Sequence, residues 1–384
     1  MKLRFAFIAL SLVIVLSGCS KDSDNVVNPG NDTYDSKLAT FLDSLRVAYN
    51  LPALAGAIIT GNEIIDAQAV GCRKFGGNKN VTKNDKFHLG SNTKAFTATL
   101  IGILVDERKL TWETTLEEVF PELQNVIKAE YKDVTVKNIL AHSAGLPGDP
   151  AITPTSGDAR TMRYEIVQWA VQQIPAVPKG TYLYSNTGYI IAGAIAEKLT
   201  DKPYGDLLFE KVLTPLGINS AGFGPMGNVG AEDQPLQHYV EESGTHTPVE
   251  PEPQNDNPVT YDPAGRLHMN INDWAKYIQS VLRNENGIYS LVEPETAALL
   301  TSNITSIVEG VFYGLGWMVL ERDWADGKTI THAGSNTVNY SVAWIAPNKD
   351  FAIILATNQG RGETEMLIDN AAANLIEFYF AHRY

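Results

Sequence analysis

The chain has 384 residues, of which 44% are hydrophobic, so it is long enough to bury a sizeable core as one large domain or two interlocked parts. Its formal net charge of −14, with no cluster of basic residues, argues against nucleic acid as a partner, because phosphate binding needs a concentrated positive surface. We interpret the acidity as a source of solubility.

Residues 1–18 are predicted to be a lipoprotein signal peptide. Lys2 and Arg4 precede an apolar run that is too short to span a bilayer, which needs ~20 apolar residues. The small residues just before Cys19 resemble the lipobox of bacterial lipoproteins, whose cysteine becomes the lipidated first residue of the mature chain. We therefore predict a membrane anchor at Cys19 and a location in the cell envelope, periplasmic or surface-exposed, with the outer membrane expected in a Gram-negative organism. Ordinary secretion with an incidental cysteine is the alternative.

Residues 19–34 are predicted to be a flexible tether between the anchor and a domain over 35–384. The tether is polar, rich in Asn and Asp, and has few apolar groups that could pack. Cys72 is the only cysteine besides Cys19, so no internal disulfide is expected once Cys19 is acylated. The folding of the domain must then depend on its core.

The domain is predicted to begin with a helix and a β-hairpin. Apolar residues recur at helical spacing between Ser36 and Tyr49, so one face of this helix packs inward. Two strands follow, at 53–60 and 63–70. The Gly61-Asn62 dipeptide between them is typical of a two-residue hairpin turn.

The other end of the domain also predicts strands, joined by short turns. Apolar runs cover 313–320, 329–332, 340–346 and 351–357, and a helix over 363–380 closes the chain. Short turns force antiparallel neighbours, whereas the middle of the chain is mainly helical. We therefore predict an α/β (α+β) fold whose antiparallel sheet is built from both chain ends and flanked by helices. The sheet subdomain is expected at about 35–94 and 310–384, and an inserted, mainly helical subdomain at about 95–290.

One long segment stands apart from these elements. Residues 221–265 are dense in Gly, Pro and acidic residues and show little periodicity. Loops of this length are usually functional or disordered. Both alternatives stay open here: a wall at the substrate edge, or a disordered insertion.

The first motif is Ser91-Asn92-Thr93-Lys94, which opens a segment that is apolar nearly all round and predicts a buried helix. Three residues of helix bring Ser91 and Lys94 onto one face, and the helix start aims backbone N–H groups at charge that forms near the hydroxyl. A serine hydroxyl is a poor nucleophile without a base within hydrogen-bond reach. Lys94 can be that base if burial lowers its pKa from about 10.4. A lysine that only bonds the helix end is the alternative.

The second motif, Tyr184-Ser185-Asn186, precedes another apolar helix over 187–199. A tyrosine hydroxyl next to an ammonium group can lose its proton near neutral pH and relay protons to and from a leaving group. Asn186 can orient both the lysine and a substrate carbonyl. The alternative is an ordinary helix cap beside a core tyrosine.

The third motif, His332-Ala333-Gly334, ends a strand and leads into Ser335. Glycine lets a substrate approach a strand edge closely, and backbone N–H groups there can stabilise a tetrahedral oxyanion. His88-Leu89-Gly90 has the same pattern but directly precedes Ser91. It is therefore not expected to form the opposite wall of the site as well.

In this order, the three motifs resemble those of the penicillin-binding-protein and class C β-lactamase-like serine hydrolases, whose relatives include D-alanyl-D-alanine carboxypeptidases, D-aminopeptidases and esterases. The family pattern is S-x-x-K, then Y-x-N, then K-T-G or H-x-G. Further stretches at 140–147, 214–217 and 263–267 are similar to family segments. The resemblance runs from about Ser36 to the C-terminus and implies the β-lactamase/transpeptidase-like fold.

The resemblance also implies a role for each motif residue. Ser91 would be the acylated nucleophile, with Lys94 and Tyr184 as the proton-transfer pair. The substrate-binding residues would be Asn186, His332, Gly334 and Ser335. Backbone N–H groups of Ser91 and Ser335 would form the oxyanion hole, and neither a metal nor another cofactor is implied. The implied activity is hydrolysis of an ester or amide, in a small ester, a peptide or a peptidoglycan-type substrate.

The third motif departs from the β-lactamase pattern, and this affects the expected substrate. His332 and Ala333 stand where β-lactamases have lysine and threonine, so a permanent charge and a hydroxyl that would hold a substrate carboxylate are lost. A histidine is mostly neutral at pH 7 unless its surroundings raise its pKa. Arg266 could restore positive charge or be a surface residue. We therefore expect cleavage of esters or peptides, including D-amino-acid peptides, to exceed destruction of β-lactams.

Two other hypotheses remain at this point. Ala141-His142-Ser143-Ala144-Gly145 resembles a lipase nucleophile elbow, which would make Ser143 the nucleophile, but the elbow needs a strand before it and a helix after it. Leu146-Pro147-Gly148 follows and breaks a helix, so we expect His142 to be a buried structural residue instead. The second hypothesis is a catalytically silent envelope lipoprotein that binds peptides or peptidoglycan.

Overall fold

The computed structural model describes residues 36–241 and 243–382. The predicted signal peptide, the lipidation site Cys19 and the tether lie outside these residues. Within the described ranges, no helix combines the length and the apolar character that crossing a membrane requires.

The strands of the described residues form one large sheet and two small ones. In chain order they are β1 (Ala53–Ile59), β2 (Ile64–Gly71), β3 (Lys86–His88), β4 (Gly222–Phe223), β5 (Gln237–Val240), β6 (His246–Val249), β7 (Leu267–Asn270), β8 (Thr305–Val308), β9 (Val311–Tyr313), β10 (Met318–Arg322), β11 (Gly327–Ser335), β12 (Tyr340–Ala346), β13 (Phe351–Thr357) and β14 (Gln359–Gly360). The large sheet has the order β2-β1-β13-β12-β11-β10-β9-β8, and its neighbours are antiparallel. Both chain ends contribute to it, as predicted.

The helices of the described residues pack on this sheet and on one another. They are α1 (Lys37–Ala48), α2 (Thr93–Asp106), α3 (Leu116–Val119), α4 (Val136–Leu140), α5 (Ala159–Ala170), α6 (Asn186–Thr200), α7 (Tyr204–Leu208), α8 (Asp262–Gly265), α9 (Ile271–Glu285), α10 (Pro294–Leu300) and α11 (Thr364–His382). The predicted first helix and hairpin are confirmed, and Ser36 caps α1 by accepting a hydrogen bond from the Ala39 N–H.

The sheet is covered on both faces, which explains why β1 and β13 consist almost entirely of apolar residues. Every residue of β1 and β13 is buried. Successive side chains of a strand point to opposite faces, so Ala55 and Ala57 pack in one hydrophobic cluster together with α2 and α9. Leu54 and Ile58 pack in a second cluster with α1 and α11. The result is a three-layer domain.

The predicted strand over 313–320 is wrong in one respect, because it is two strands, β9 and β10, separated at 314–317. Gly316 in the break has a φ of +83°, and a Cβ atom there would lie 2.9 Å from the Lys94 carbonyl oxygen. The close approach of helix α2 therefore interrupts the strand. Hydrophobic periodicity does not report such a contact.

The described residues of the segment over 221–265 are folded, so the disordered alternative is wrong for them. Strands β5 and β6 form a hairpin that adds to β14, and β4 pairs with β7, which also pairs with β3. Since β3 leads directly into the turn that carries Ser91, this segment is tied to the motif region.

Candidate active site

Ser91 lies in a short 3-10 turn, Gly90–Asn92, between β3 and α2. The backbone of this turn is in direct contact with the backbone at the end of β11. A Cβ atom on Gly334 would lie 2.6 Å from the Ser91 backbone nitrogen, and one on Gly90 would lie 2.4 Å from the Ser335 nitrogen. Only glycine fits such contacts. The group that approaches Gly334 here is the backbone from Leu89 to Asn92, and the admission of a substrate at Gly334 stays a prediction.

Lys94 is fully buried and has three polar neighbours. Its Nζ lies 3.1 Å from Ser91 Oγ, 2.7 Å from Asn186 Oδ1 and 2.7 Å from the Ala264 carbonyl oxygen. Burial lowers the pKa of Lys94 to about 7, and the Asp149 carboxylate counters part of this effect. A neutral amine has two N–H groups and one lone pair. Because the Asn186 and Ala264 oxygens only accept, the lone pair is left for the Ser91 hydroxyl.

Tyr184 lies beside both groups. Lys94 Nζ lies 4.7 Å from the centre of its ring, and the Ser91 side chain is close enough to influence the pKa of its hydroxyl. Burial of the hydroxyl raises the pKa of Tyr184 well above its usual value, and the Ser91 side chain offsets only part of this. The prediction that this tyrosine ionises near neutral pH is therefore wrong. The hydroxyl is therefore protonated at neutral pH, and the pKa close to neutrality, about 7, belongs to Lys94.

Asn186 connects the lysine to a residue that sequence reasoning missed. Asn186 begins α6, where Ser185 caps the helix, and its Nδ2 donates to Asp149 Oδ1 at 2.8 Å. The Tyr261 hydroxyl donates to the same carboxylate oxygen at 3.1 Å. Asp149 thus turns the Asn186 amide so that its oxygen faces Lys94. The only signal in the sequence was an acid shortly after the 140–147 stretch.

His332 is buried and neutral. Its Nδ1 donates to the Ala333 carbonyl oxygen at 2.7 Å, so Nε2 accepts from the Tyr313 hydroxyl at 2.9 Å. Burial, assisted by the charge of Lys94, lowers the pKa of His332 to about 3. Substrate binding by His332 stays a prediction, and it would require one of these hydrogen bonds to open.

Arg266 does not supply a free charge in place of the missing lysine. The residue is 6% exposed and forms an ion pair with Asp262 one helical turn earlier. Its positive charge is therefore neutralised locally. The alternative of a surface arginine is also wrong.

The lipase-elbow hypothesis is wrong because a helix, α4, precedes Ser143 where a strand is required. Ser143 is buried, and its hydroxyl donates to the Asn138 carbonyl oxygen at 3.3 Å. The neighbouring His142 is buried and its Nδ1 accepts from the Ser185 N–H at 3.0 Å. The predicted burial of His142 is confirmed.

Comparison with known proteins identifies the family of the chain. The Beta-lactamase family model matches residues 35–378. The chain belongs to the beta-lactamase family. It is similar to an unguisins hydrolase of Aspergillus campestris, with 27% identity over 85% of this chain and 62% of that protein. It is also similar to penicillin-binding protein 4 of Amycolatopsis lactamdurans, with 26% identity over 83% of this chain and 84% of that protein.

A solved structure bears out the fold. The octameric penicillin-binding protein homologue from Pyrococcus abyssi superimposes with a TM-score of 0.70 at 22% identity, over 88% of this chain and 77% of that one. The predicted family and fold class are thus confirmed, and membership of the beta-lactamase family supports a serine hydrolase. The role of each motif residue stays a prediction.

For this family member, we expect Tyr184→Phe to slow turnover by roughly 10²-fold, the usual scale for general acid-base catalysis. The loss should be smaller for p-nitrophenyl acetate, whose leaving group needs no proton, than for an amide of the same acyl group. Steady-state kcat/KM on both substrates tests this, with Tyr182→Phe as the neighbouring control. Equal losses on the two substrates would contradict proton donation by Tyr184.

Proposed function

We propose that this protein is a membrane-anchored serine hydrolase that cleaves an ester or amide through an acyl-enzyme on Ser91. The observation that carries the proposal is the arrangement at Lys94 Nζ, where two obligate acceptors leave the lone pair for the Ser91 hydroxyl. A base at hydrogen-bond distance with a pKa near 7 is what a serine nucleophile needs at neutral pH. The relatives named as a hydrolase and as a penicillin-binding protein support the same class.

Acylation would proceed as follows. Ser91 Oγ bonds to the substrate carbonyl carbon while its proton passes to Lys94 Nζ, and the carbonyl electron pair moves to oxygen. Backbone N–H groups of Ser91 and Ser335 hold this oxyanion. The bond to the leaving group then breaks, the leaving group takes a proton from Tyr184, and Lys94 returns a proton to Tyr184. Water attacks the acyl carbon by the same route, which releases the acid and restores Ser91.

The charges around the site favour neutral substrates over anionic ones. His332 is neutral and Arg266 is paired with Asp262, so neither offers a free positive charge to a substrate carboxylate. Asp149 adds negative charge next to Asn186. We therefore propose small esters and D-amino-acid or peptidoglycan-type peptides as substrates, ahead of efficient penicillin hydrolysis.

Intact-mass spectrometry tests the acyl-enzyme directly. The protein without its signal peptide is incubated with p-nitrophenyl acetate and, separately, with a penicillin. We expect an acetyl adduct that maps to Ser91 and turns over, and a penicillin adduct that forms slowly or not at all. Ser143→Ala is the matched control and should keep the adduct. No adduct and no turnover would favour the silent binding protein.

The membrane anchor is a separate part of the proposal. It rests on the lipobox-like residues before Cys19, which lie outside the described residues. When the full chain is produced in a bacterium that processes lipoproteins, we expect it in the membrane fraction and Cys19→Ala in the soluble fraction. Equal fractionation of the two proteins, with no lipid mass on the mature N-terminus, would establish ordinary secretion instead.

A further inference from the structure

A buried histidine–aspartate pair lies next to the candidate active site and takes no part in the chemistry described above. His88 Nε2 and Asp256 Oδ2 are 3.0 Å apart, and both side chains are 0% exposed. His88 ends β3 three residues before Ser91, whereas Asp256 comes from the folded segment over 221–265. The pair therefore joins that segment to the strand that leads into the nucleophile.

The histidine of the pair holds the backbone beside Ser91. The Gly90 N–H donates to His88 Nδ1 at 3.1 Å. Since Nδ1 accepts, the ring proton is on Nε2 and points at the Asp256 carboxylate. This fixes one tautomer of His88 and one position for Gly90, whose φ of +50° belongs to the left-handed region.

The aspartate of the pair holds the turn that follows Ser335. Asp256 Oδ1 accepts from Asn336 Nδ2 at 3.0 Å, and the same amide nitrogen lies 2.9 Å from Gln237 Oε1 on β5. Gln237 Oε1 also accepts from Asn339 Nδ2 at 2.6 Å, and the Ser335 hydroxyl donates to the Asn339 carbonyl oxygen at 2.9 Å. The turn over 335–339 is thus fixed from the segment that carries Asp256.

The two ends of this chain of hydrogen bonds lie at the residues next to Ser91 and Ser335, whose backbone N–H groups are the predicted oxyanion hole. One carboxylate binds His88 through Oδ2 and Asn336 through Oδ1. His88 binds the residue before Ser91, and Asn336 is the residue after Ser335. Oxyanion donors act only when they converge on one oxygen at about 2.7–3.1 Å. A small shift of either backbone segment would spoil that convergence.

We propose that His88 and Asp256 are positioning residues that set the spacing of the Ser91 and Ser335 backbone N–H groups. The inference rests on the proposed function for its catalytic meaning, and it gives the segment over 221–265 a specific task. Through Asp256, that segment holds both backbone stretches that form the proposed oxyanion hole. The His88-Leu89-Gly90 motif, which resembles the third motif, serves this support and not the opposite wall.

Asp256→Asn is the decisive variant because Asp256 accepts hydrogen bonds at both oxygens. An asparagine has one oxygen and one NH₂ group, so it keeps the bond to His88 or the bond to Asn336 but not both. We expect kcat for p-nitrophenyl acetate to fall by about 10- to 10²-fold, less than for outright removal of an oxyanion donor, while KM changes little. The affinity for a boronic acid, which forms a tetrahedral adduct on the serine, should fall in parallel with kcat/KM.

Asp85→Asn is the matched control. Asp85 is another buried carboxylate just before β3, and it accepts from Arg73 and from the Thr82 N–H without touching either side of the site. Its loss should lower Tm but leave kcat and boronic acid affinity near wild-type values. If Asp85→Asn and Asp256→Asn lose activity in proportion to their loss in Tm, the pair is merely structural and the proposal is overturned.

Amide hydrogen exchange tests the support without any turnover. We expect faster exchange in peptides covering 88–92 and 333–338 for Asp256→Asn, and unchanged exchange there for Asp85→Asn. Unchanged exchange in Asp256→Asn would overturn the positioning role. A wild-type protein that forms no Ser91 adduct would contradict the proposed function alone, because the exchange result still decides whether the pair positions both backbone segments.

Discussion

Replacement of Ser91 by alanine is expected to lower kcat/KM for p-nitrophenyl acetate by about 10⁴-fold or more, the scale on which loss of a serine nucleophile acts. Ser91 Oγ lies 3.1 Å from Lys94 Nζ, so the variant removes the attacking atom and leaves the lysine without a proton to accept. The adduct seen by intact mass should disappear as well. Steady-state rates and adduct mass are measured on the same preparation.

Controls separate this effect from a folding defect. Ser91→Ala removes a hydroxyl and no backbone contact, so its Tm should stay within a few degrees of wild type. Ser143→Ala removes a serine that donates to the Asn138 carbonyl oxygen and is not a hydrogen-bond partner of Lys94 Nζ, so it should keep the esterase activity. Full esterase activity in Ser91→Ala would contradict the assignment of Ser91 as the nucleophile.

Lys94→Met is expected to lower kcat by roughly 10³-fold, within the range of general-base catalysis. Methionine fills similar volume in the buried site but has no basic nitrogen. In the wild-type protein, kcat/KM should rise with pH through about 7, because the neutral form of Lys94 is the one that accepts the Ser91 proton. This rise should be absent from the residual activity of the variant. A pH-rate profile with the same limb in both proteins would assign the limb to another group.

Asp149→Asn should shift the rise of kcat/KM with pH near 7 but should not abolish it. The Asp149 carboxylate raises the pKa of Lys94, so its neutralisation lowers that pKa further. The lysine then becomes neutral at a lower pH, and the rising limb of kcat/KM should shift to more acidic values. A shift in the alkaline direction would contradict the electrostatic link between the two residues.

The same pKa predicts a dependence of stability on pH. The folded-state pKa of Lys94 is about 7, whereas its ordinary value is 10.5. Between these values the unfolded chain binds the proton and the folded chain does not, so this residue makes the free energy of unfolding rise with pH from about 7 to about 10.5. Urea denaturation of wild type and Lys94→Met at several pH values isolates this contribution, because the other groups are common to both. A constant difference between the two proteins would contradict it.

Local pattern predicted the parts of the fold that depend on neighbours in sequence. Helical spacing located α1, and the Gly61-Asn62 dipeptide located the hairpin between β1 and β2. The prediction of one strand over 313–320 was wrong because the backbone of α2, far away in the sequence, packs closely against Gly316. A pattern of apolar residues cannot predict a close contact between two backbone segments that are distant in sequence.

The candidate site shows the same division. Motif spacing and order predicted that Ser91, Lys94 and Tyr184 share one site. Their side chains are next to one another in the structure. The sequence allowed a lowered pKa for Lys94 only on the condition of burial, and it did not predict the burial that keeps Tyr184 protonated. Desolvation lowers the pKa of Lys94 towards neutrality and raises that of Tyr184, the reverse of an ionised tyrosine beside a charged lysine.

The sequence by itself determined the family, the order of the motifs and the residues proposed for the chemistry, because these depend on residue type and short spacing. Only the tertiary structure decided the protonation states of Lys94, Tyr184 and His332, and which other residues support the site. Asp149 lies 37 positions from Asn186, and Asp256 lies 168 positions from His88. Contacts of that kind are made by the packing of the whole chain, so their energies and their pKa shifts exist only once the domain has folded.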